Sequence, residues 1–370
     1  MHVLHFYKAY FPHSMGGIEQ FIHQLARSTQ ALGVETEVLA LSSEDEPQTI
    51  EVDGYRVHRA RQNFEVASTG FSASVFPRFA KLAKKADLIH YHFPWPLMDV
   101  VHFATRLRKP TVVSYHLDIV RQKHWLKLYR PLQKLFLSDV DHIVAAAPNY
   151  AASSPVLSQF TDKTQVIPYG LDRSCYPDPP EERMNYWRNR FKGRFFLFVG
   201  VFRYYKGLHI LMEAAERLDY PIVLVGSGPV EQEIKAQASR LQLTNIHFVG
   251  KQSDEDKVAL LQLCYAAVFP SHLRSEAFGI FLLEAMMFGK PMISTEMATG
   301  TSFANQHGET GLTVAPNDPQ AFHQALRFFW DNPAIVADWG RAAKQRFEEQ
   351  FTAQRMAESY VNLYRNCLKC

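Results

Sequence analysis

The chain has 370 residues, more than one ordinary core accommodates, so two domains are expected. A hydrophobic share of 47% with 13% aromatics excludes a disordered chain, and a net charge of +3 gives no bulk signature of a nucleic-acid binder. Four cysteines, at 175, 264, 367 and 370, are too sparse for a disulfide scaffold. Cys367-x-x-Cys370 lacks two more ligands at zinc-site spacing, so no metal is expected there and reduced thiols fit a cytoplasmic protein.

Along the chain, "MHVLHFYKAY" enters a strand-like run directly, with no charged leader or cleavage site. No stretch reaches about 18 uninterrupted apolar residues, so no membrane span is expected. After Gly16-Gly17, the spacing of Ile18, Phe21, Ile22, Leu25 and Leu32 predicts a helix, with Gly33 as its stop. Strand candidates follow at "ETEVLAL", "DLIHYH", "TVVSYH" and "HIVAAA". A second start of the same kind appears at "RFFLFVGVFRYYKG", leading into the helical "LHILMEAAERL" and then "PIVLVGSG", "IHFVG", "AAVFPS" and "PMISTE". Strands alternating with helices predict an α/β protein with parallel sheets, here two Rossmann-like units. "CYPDPPEERMN" reads as the linker. The expected division is 1–180, 181–352 and a last helix, 353–370, free to pack on either domain.

Two glutamates in "SEAFGIFLLEAMMFGKP" call for an explanation, because Glu284 lies in an apolar run where a lone carboxylate is costly. On a continuous helix Glu276 and Glu284 would be offset by about 12 Å and 80°, so they do not form one acid–base pair. Gly279 suggests a helix start, with Glu276 in the loop before it. Free N–H groups at that start suit phosphate. A nucleotide-sugar, with hydroxyls at both ends and phosphate between, would satisfy all three features. The plainer alternative is a helix carrying one surface-facing glutamate.

This segment resembles the E-x7-E region of retaining glycosyltransferases of family 4. "PHSMGGIEQFIHQLARSTQALGVETEVLAL", "VIPYGLD" and "VGSGP" resemble other parts of the same family, so the resemblance covers most of the chain. "LHFYKAY" and "FRYYKGLHIL" are similar to O-antigen mannosyl- and rhamnosyltransferases of Gram-negative bacteria. The resemblance implies a GT-B fold, two Rossmann-like domains facing each other across a cleft, with the donor held by the second. It implies that Glu276 holds donor-sugar hydroxyls and Glu284 the ribose. Backbone amides of Gly16, Gly17, Ala277, Phe278 and Gly279 would meet sugar and diphosphate, with Gly228 in the strand–glycine turn. His116, in "VVSYHLD", matches the family histidine that approaches the donor sugar; its bland alternative is a satisfied histidine at a strand end. His90 and His92 are candidates for lining an acceptor cleft. Where the family writes Gly-Arg, this chain has Gly200-Val201, so Arg203 and Lys206 are the expected cations on the diphosphate.

The implied reaction is front-face displacement with retention, the leaving phosphate taking the acceptor's proton, without cofactor or catalytic metal. Asp139-Val-Asp141 matches a D-x-D metal motif in form but merely precedes a strand. Expected partners are a nucleoside-diphosphate sugar, GDP-mannose or GDP-rhamnose, and a lipid-linked oligosaccharide acceptor. Rival readings are a nicotinamide oxidoreductase, for which "VGSGPVE" lacks the third glycine, a sugar-nucleotide epimerase, and a non-catalytic subunit of a polymerising complex.

Residues 76–136 hold twelve Lys or Arg against three Asp. Within them, "RQKHWLKLYRPLQKLF" is expected to place Trp125, Leu128, Tyr129, Leu132 and Phe136 on a core-facing side, broken or kinked at Pro131. Lys123, Lys127, Arg130 and Lys134 would face outward. Those cations are either simply solvated or meet an anionic membrane surface, as a peripheral protein of the inner membrane's cytoplasmic face would.

Overall fold

The computed structural model describes residues 1–12, 14, 16–43, 49–66, 69–119 and 123–369, with backbone alone at 123–126. It divides into two compact units, Met1–Gly170 with Ala353–Cys370, and Leu171–Thr352. The sequence sets the boundary at 180; the contacts set it at 170. Leu171 donates its N–H to Phe351 O at 2.9 Å, and the Tyr176 hydroxyl donates to Glu284 at 3.0 Å. Those bonds tie 171–180 into the second unit.

In the first unit, β1 (His2–Phe6) is followed by the helix Gly17–Gln30, then β2 (Glu35–Ser42), β3 (Thr49–Val52) and β4 (Tyr55–Arg61). A small antiparallel pair, β5 (Phe64–Val66) and β6 (Thr69–Phe71), precedes β7 (Leu88–Phe93), β8 (Thr111–Tyr115), β9 (His142–Ala145) and β10 (Thr164–Val166). The sheet order is β10-β9-β8-β7-β1-β2-β4-β3, parallel except for the β3–β4 pair. The strand readings above did not include β3 and β4. Asp53-Gly54 between them, both at positive φ, is the two-residue hairpin signal that would have found them.

Alternation along the strands gives this sheet two different faces. Phe6 and Tyr91 turn to one, where Phe6 packs on Phe79 and Trp95 with ring centroids 4.7 and 4.9 Å apart. His5, His90, His92 and Ser114 turn to the other, beneath Phe21 of the first helix and Tyr360 of the last, Ala353–Cys367.

The helix Lys123–Asp139 runs through Pro131 as one element. Phe136 is buried and Tyr129 turns inward, as expected, but Leu128 does not. Leu128 is 76% and Leu135 56% exposed, whereas Gln133, Phe136, Leu137 and Val140 are buried. The Tyr129 hydroxyl donates to Asp99, which burial holds well above the usual carboxylate range. Lys127, Arg130 and Lys134 are exposed as expected; the side chains of Lys123 and Trp125 lie outside the described residues.

The second unit is a parallel sheet of β11 (Phe196–Val199), β12 (Ile222–Val225), β13 (Ile246–Gly250), β14 (Ala266–Phe269), β15 (Met292–Thr295) and β16 (Gly311–Val314). Its order is β13-β12-β11-β14-β15-β16, so the chain reverses direction of travel between β11 and β14. In open parallel sheets, ligands bind beyond the carboxyl ends of the strands at such a reversal. Here those ends carry Gly200–Gly207 and Pro270–Gly279. The helix Glu181–Arg190 docks on the helix Asp254–Leu263 through Arg183, whose Nε and Nη2 donate to Asp256 at 2.7 and 2.6 Å.

Candidate active site

The two loops at the reversal are stitched together. His272 donates its backbone N–H to Tyr205 O at 3.0 Å. Gly207, at φ +70°, lies so close that a Cβ there would sit 2.0 Å from Pro270 O. Only glycine fits both constraints. Lys206 then forms an ion pair with Glu276. Ser271 Oγ donates to the same carboxylate oxygen, Oε2, at 3.2 Å. Burial alone would push the Lys206 ammonium down, but the Glu276 carboxylate and Tyr205 outweigh it and hold it above its ordinary range. Glu276 Oε1 takes no hydrogen bond among the described residues. Lys206 and Glu276 therefore present a charged pair with one unoccupied oxygen.

Glu276 lies in the loop and Gly279, at φ +86°, opens the helix Ile280–Met287, as expected. Ala277 O accepts from Gly300 N at 2.7 Å, fixing the segment that leads into the helix start. Glu284, 4% exposed, has donors from inside the unit. Tyr176 OH at 3.0 Å and Lys257 Nζ at 3.3 Å both reach Oε1. Burial would push the Lys257 ammonium down, but Glu284 and Asp254 raise it above its ordinary value. Neither Tyr176 nor Lys257 was singled out from sequence. Lys257 stands among three acidic residues at a helix start, and Tyr176 in a stretch that reads as linker.

Gly228 has a packing role. A Cβ there would lie 2.4 Å from Phe202 O, while Phe202 N–H donates to Ser227 O at 2.9 Å, zipping the two glycine turns together. Arg203 and Val201 are both exposed on the first of these turns, and no ion pair holds Arg203 among the described residues.

In the first unit, Gly16 caps the helix Gly17–Gln30, and the Glu19 carboxylate folds over it. A Cβ on Gly16 would meet Glu19 Oε2 at 2.5 Å. His116 is buried with both ring nitrogens engaged, Nε2 with His92 Nδ1 at 3.1 Å and Nδ1 with Tyr169 OH at 2.5 Å. His92 Nε2 meets His5 Nδ1 at 3.0 Å, and His90 meets Ser114 Oγ at 2.8 Å and Tyr364 OH at 2.7 Å. Asp139 and Asp141 do not converge on a cation: Asp139 accepts from His102 at 2.8 Å, Asp141 from the Thr111 N–H at 2.8 Å. Cys367 is buried and Cys370 lies outside the described residues.

Comparison with known proteins gives the family. Residues 181–346 match the model described as glycosyl transferases group 1, and residues 15–174 that of glycosyltransferase family 4. The chain is 57% identical to D-rhamnosyltransferase WbpZ of Pseudomonas aeruginosa, over 95% of this chain and 93% of that protein. It belongs to glycosyltransferase family 4. It is also 48% identical to O-antigen chain mannosyltransferase C of Escherichia coli, over 100% and 99%. Among solved structures, sucrose-phosphate synthase from Thermosynechococcus elongatus superposes with TM-score 0.81 at 21% identity, covering 99% and 98% of the two chains. That likeness speaks for the fold, two parallel Rossmann-like sheets of the GT-B class. The oxidoreductase and epimerase readings fall with family membership.

Two measurements follow from these sites. Lys257→Met leaves the buried Glu284 without its cation and should lower unfolding stability by about 3 kcal/mol. The Lys257→Met/Glu284→Gln double variant should lose clearly less than the sum of the singles, as a double-mutant cycle in urea would read.

Burial holds His5 and His116 down to about 3, and holds His90 and His92 well below the ordinary histidine value. The unfolded chain therefore binds more protons than the native one below about pH 6.5. Stability from these histidines is complete above that pH and falls as pH drops toward 3, by about 1.4 kcal/mol per pH unit for each one. Urea midpoints at pH 7.5, 6.5 and 5.5 should fall progressively, and His5→Gln should flatten the slope.

Proposed function

We propose that this protein is a retaining hexosyltransferase of lipopolysaccharide O-antigen synthesis, moving mannose or rhamnose from a GDP-sugar to a lipid-linked glycan. The carrying observation is the reversal between β11 and β14, where Lys206 and Glu276 pair and Glu276 keeps one oxygen unoccupied. Near-full-length identity to a D-rhamnosyltransferase and an O-antigen mannosyltransferase supports the sugar and the pathway.

In this reading Glu276 Oε1 accepts hydroxyls of the donor sugar, and Glu284 Oε2 accepts from ribose. Lys206 and Arg203 face the diphosphate, joined by amides of Ala277, Phe278 and Gly279 at the helix start. The anomeric C–O bond to phosphate breaks as positive charge grows on the sugar and negative charge on the leaving phosphate. An acceptor hydroxyl bonds to the same face of the anomeric carbon, and its proton passes to the departing phosphate oxygen. Lys206 supplies fixed positive charge where the negative charge develops, so the step needs no metal. For the first unit by itself, the family resemblance gives Gly16 and Gly17 to phosphate and His116 to a sugar hydroxyl.

Glu276→Ala should lower kcat at least about 100-fold, the scale for losing one preorganised polar contact to a transition state. Glu284→Ala should mainly raise KM, because ribose is held alike in ground and transition states. Steady-state kinetics with GDP-mannose and GDP-rhamnose showing the opposite split would displace the donor from this placement.

The acceptor side involves a membrane. Among the described residues no helix is long and apolar enough to cross one. Leu128, Pro131 and Leu135 form an exposed stripe flanked by Lys127, Arg130 and Lys134. Each cation near an anionic surface contributes about 1 kcal/mol, and the leucines would lie in the headgroup boundary. Occupancy of this face by anionic lipid would hold the enzyme at the inner membrane's cytoplasmic face. Flotation with phosphatidylglycerol vesicles should recover the protein at low salt, and phosphatidylcholine vesicles should not. Glutamates at 127, 130 and 134 should abolish flotation; equal recovery of this variant would leave the cations merely solvated.

A further inference from the structure

The first unit buries four histidines on one sheet face, and the transfer reaction as described uses one of them. Strand register assembles the group: His5 of β1 pairs His90 of β7, and His92 of β7 pairs Ser114 of β8, two residues before His116. Nitrogens of His5, His90 and His92 lie within 4.8 Å of one another, a spacing that invites a cation. Both nitrogens of His90 and of His92 are already in hydrogen bonds, however, so a relay describes the cluster better than a metal centre.

The relay has a strict rule. A hydroxyl can donate or accept, so the bonds of His90 to Ser114 and Tyr364 leave its tautomer open. A bond between two neutral imidazoles needs one N–H and one bare nitrogen. Burial holds all of these rings below the ordinary histidine range, so each carries a single proton near neutrality. If His116 donates from Nε2, His92 must accept at Nδ1 and donate from Nε2 to His5 Nδ1. If His116 instead carries its proton on Nδ1, facing Tyr169 OH, the other two must also be protonated on Nδ1. Mixed assignments leave two protons, or none, between a pair of nitrogens about 3 Å apart.

We propose that His92 and His5 are positioning residues that, by sharing one tautomer with His116, keep its proton from changing nitrogens on its own. The consequence falls on Nδ1, the nitrogen that Tyr169 OH occupies. Its donor or acceptor character can change only together with His92 and His5, so a sugar hydroxyl taking the place of Tyr169 OH meets a partner that does not switch on its own. This consequence rests on the reading of His116 as a donor-sugar contact; the shared tautomer itself does not.

Long-range 1H–15N spectra of 15N-histidine-labelled protein at pH 7.5, assigned with single histidine variants, report each ring's tautomer. His5, His92 and His116 should agree, and in His92→Phe the His116 shifts should move to values averaged over both tautomers. Different tautomers in the wild-type protein, an unchanged His116 in His92→Phe, or displacement of these signals by one equivalent of zinc would each overturn the relay. Kinetics separate the two layers. His92→Phe should lower kcat about 10-fold with KM little changed, and His92→Gln, which can still accept and donate, should recover part of it. If His116→Ala transfers at the wild-type rate while the tautomers agree, the relay stands and the sugar contact fails. If His116→Ala is slow and His92→Phe is not, positioning by His92 is refuted.

Discussion

The Lys206–Glu276 ion pair is the contact on which the proposed chemistry of the second unit depends. It joins the loops that leave β11 and β14, the strands between which the sheet reverses. Neither charge is affordable alone at that depth. Together, with Ser271 on the same oxygen, they hold a cation and a carboxylate ready without solvent reorganising around them. Gly207 permits the loops to approach this closely. A residue with a side chain there would separate the pair before affecting any ligand.

A second carboxylate repeats the solution at the other end of the same segment. Glu284 is held by Lys257 and Tyr176, again through one oxygen only. The two buried glutamates are thus each neutralised by a lysine from another segment, and each keeps its other oxygen free of hydrogen bonds among the described residues. The first unit solves its polar burial differently. There, neutral rings and hydroxyls satisfy one another across the sheet face, and no charge is buried in the relay.

The helix Lys123–Asp139 shows how a local pattern can misplace a single residue. Counting apolar residues places Leu128 inward, yet Leu128 and Leu135 are exposed and Gln133 is buried. The bond from Tyr129 to Asp99, on the neighbouring helix Pro96–Thr105, keeps Tyr129 on the inward side where the pattern places it. Lys127, Arg130 and Lys134 are outward where the pattern places them, which is why that part of the reading was legible.

What the sequence determined by itself was whatever depends on near neighbours. Strand and helix alternation, the helix start at Gly279 and the placement of Glu276 in the loop before it follow from short-range sterics and period. Family resemblance added the roles expected of Glu276, Glu284 and Lys206. The tertiary structure decided the partners. Lys257 reaches Glu284 across 27 positions and Tyr176 across 108, while the relay draws on His5, His92, His116 and Tyr169 from four separate segments. Periodicity carries no record of strand order, and it is strand order, with register, that brings residues so distant in the chain to within a hydrogen bond.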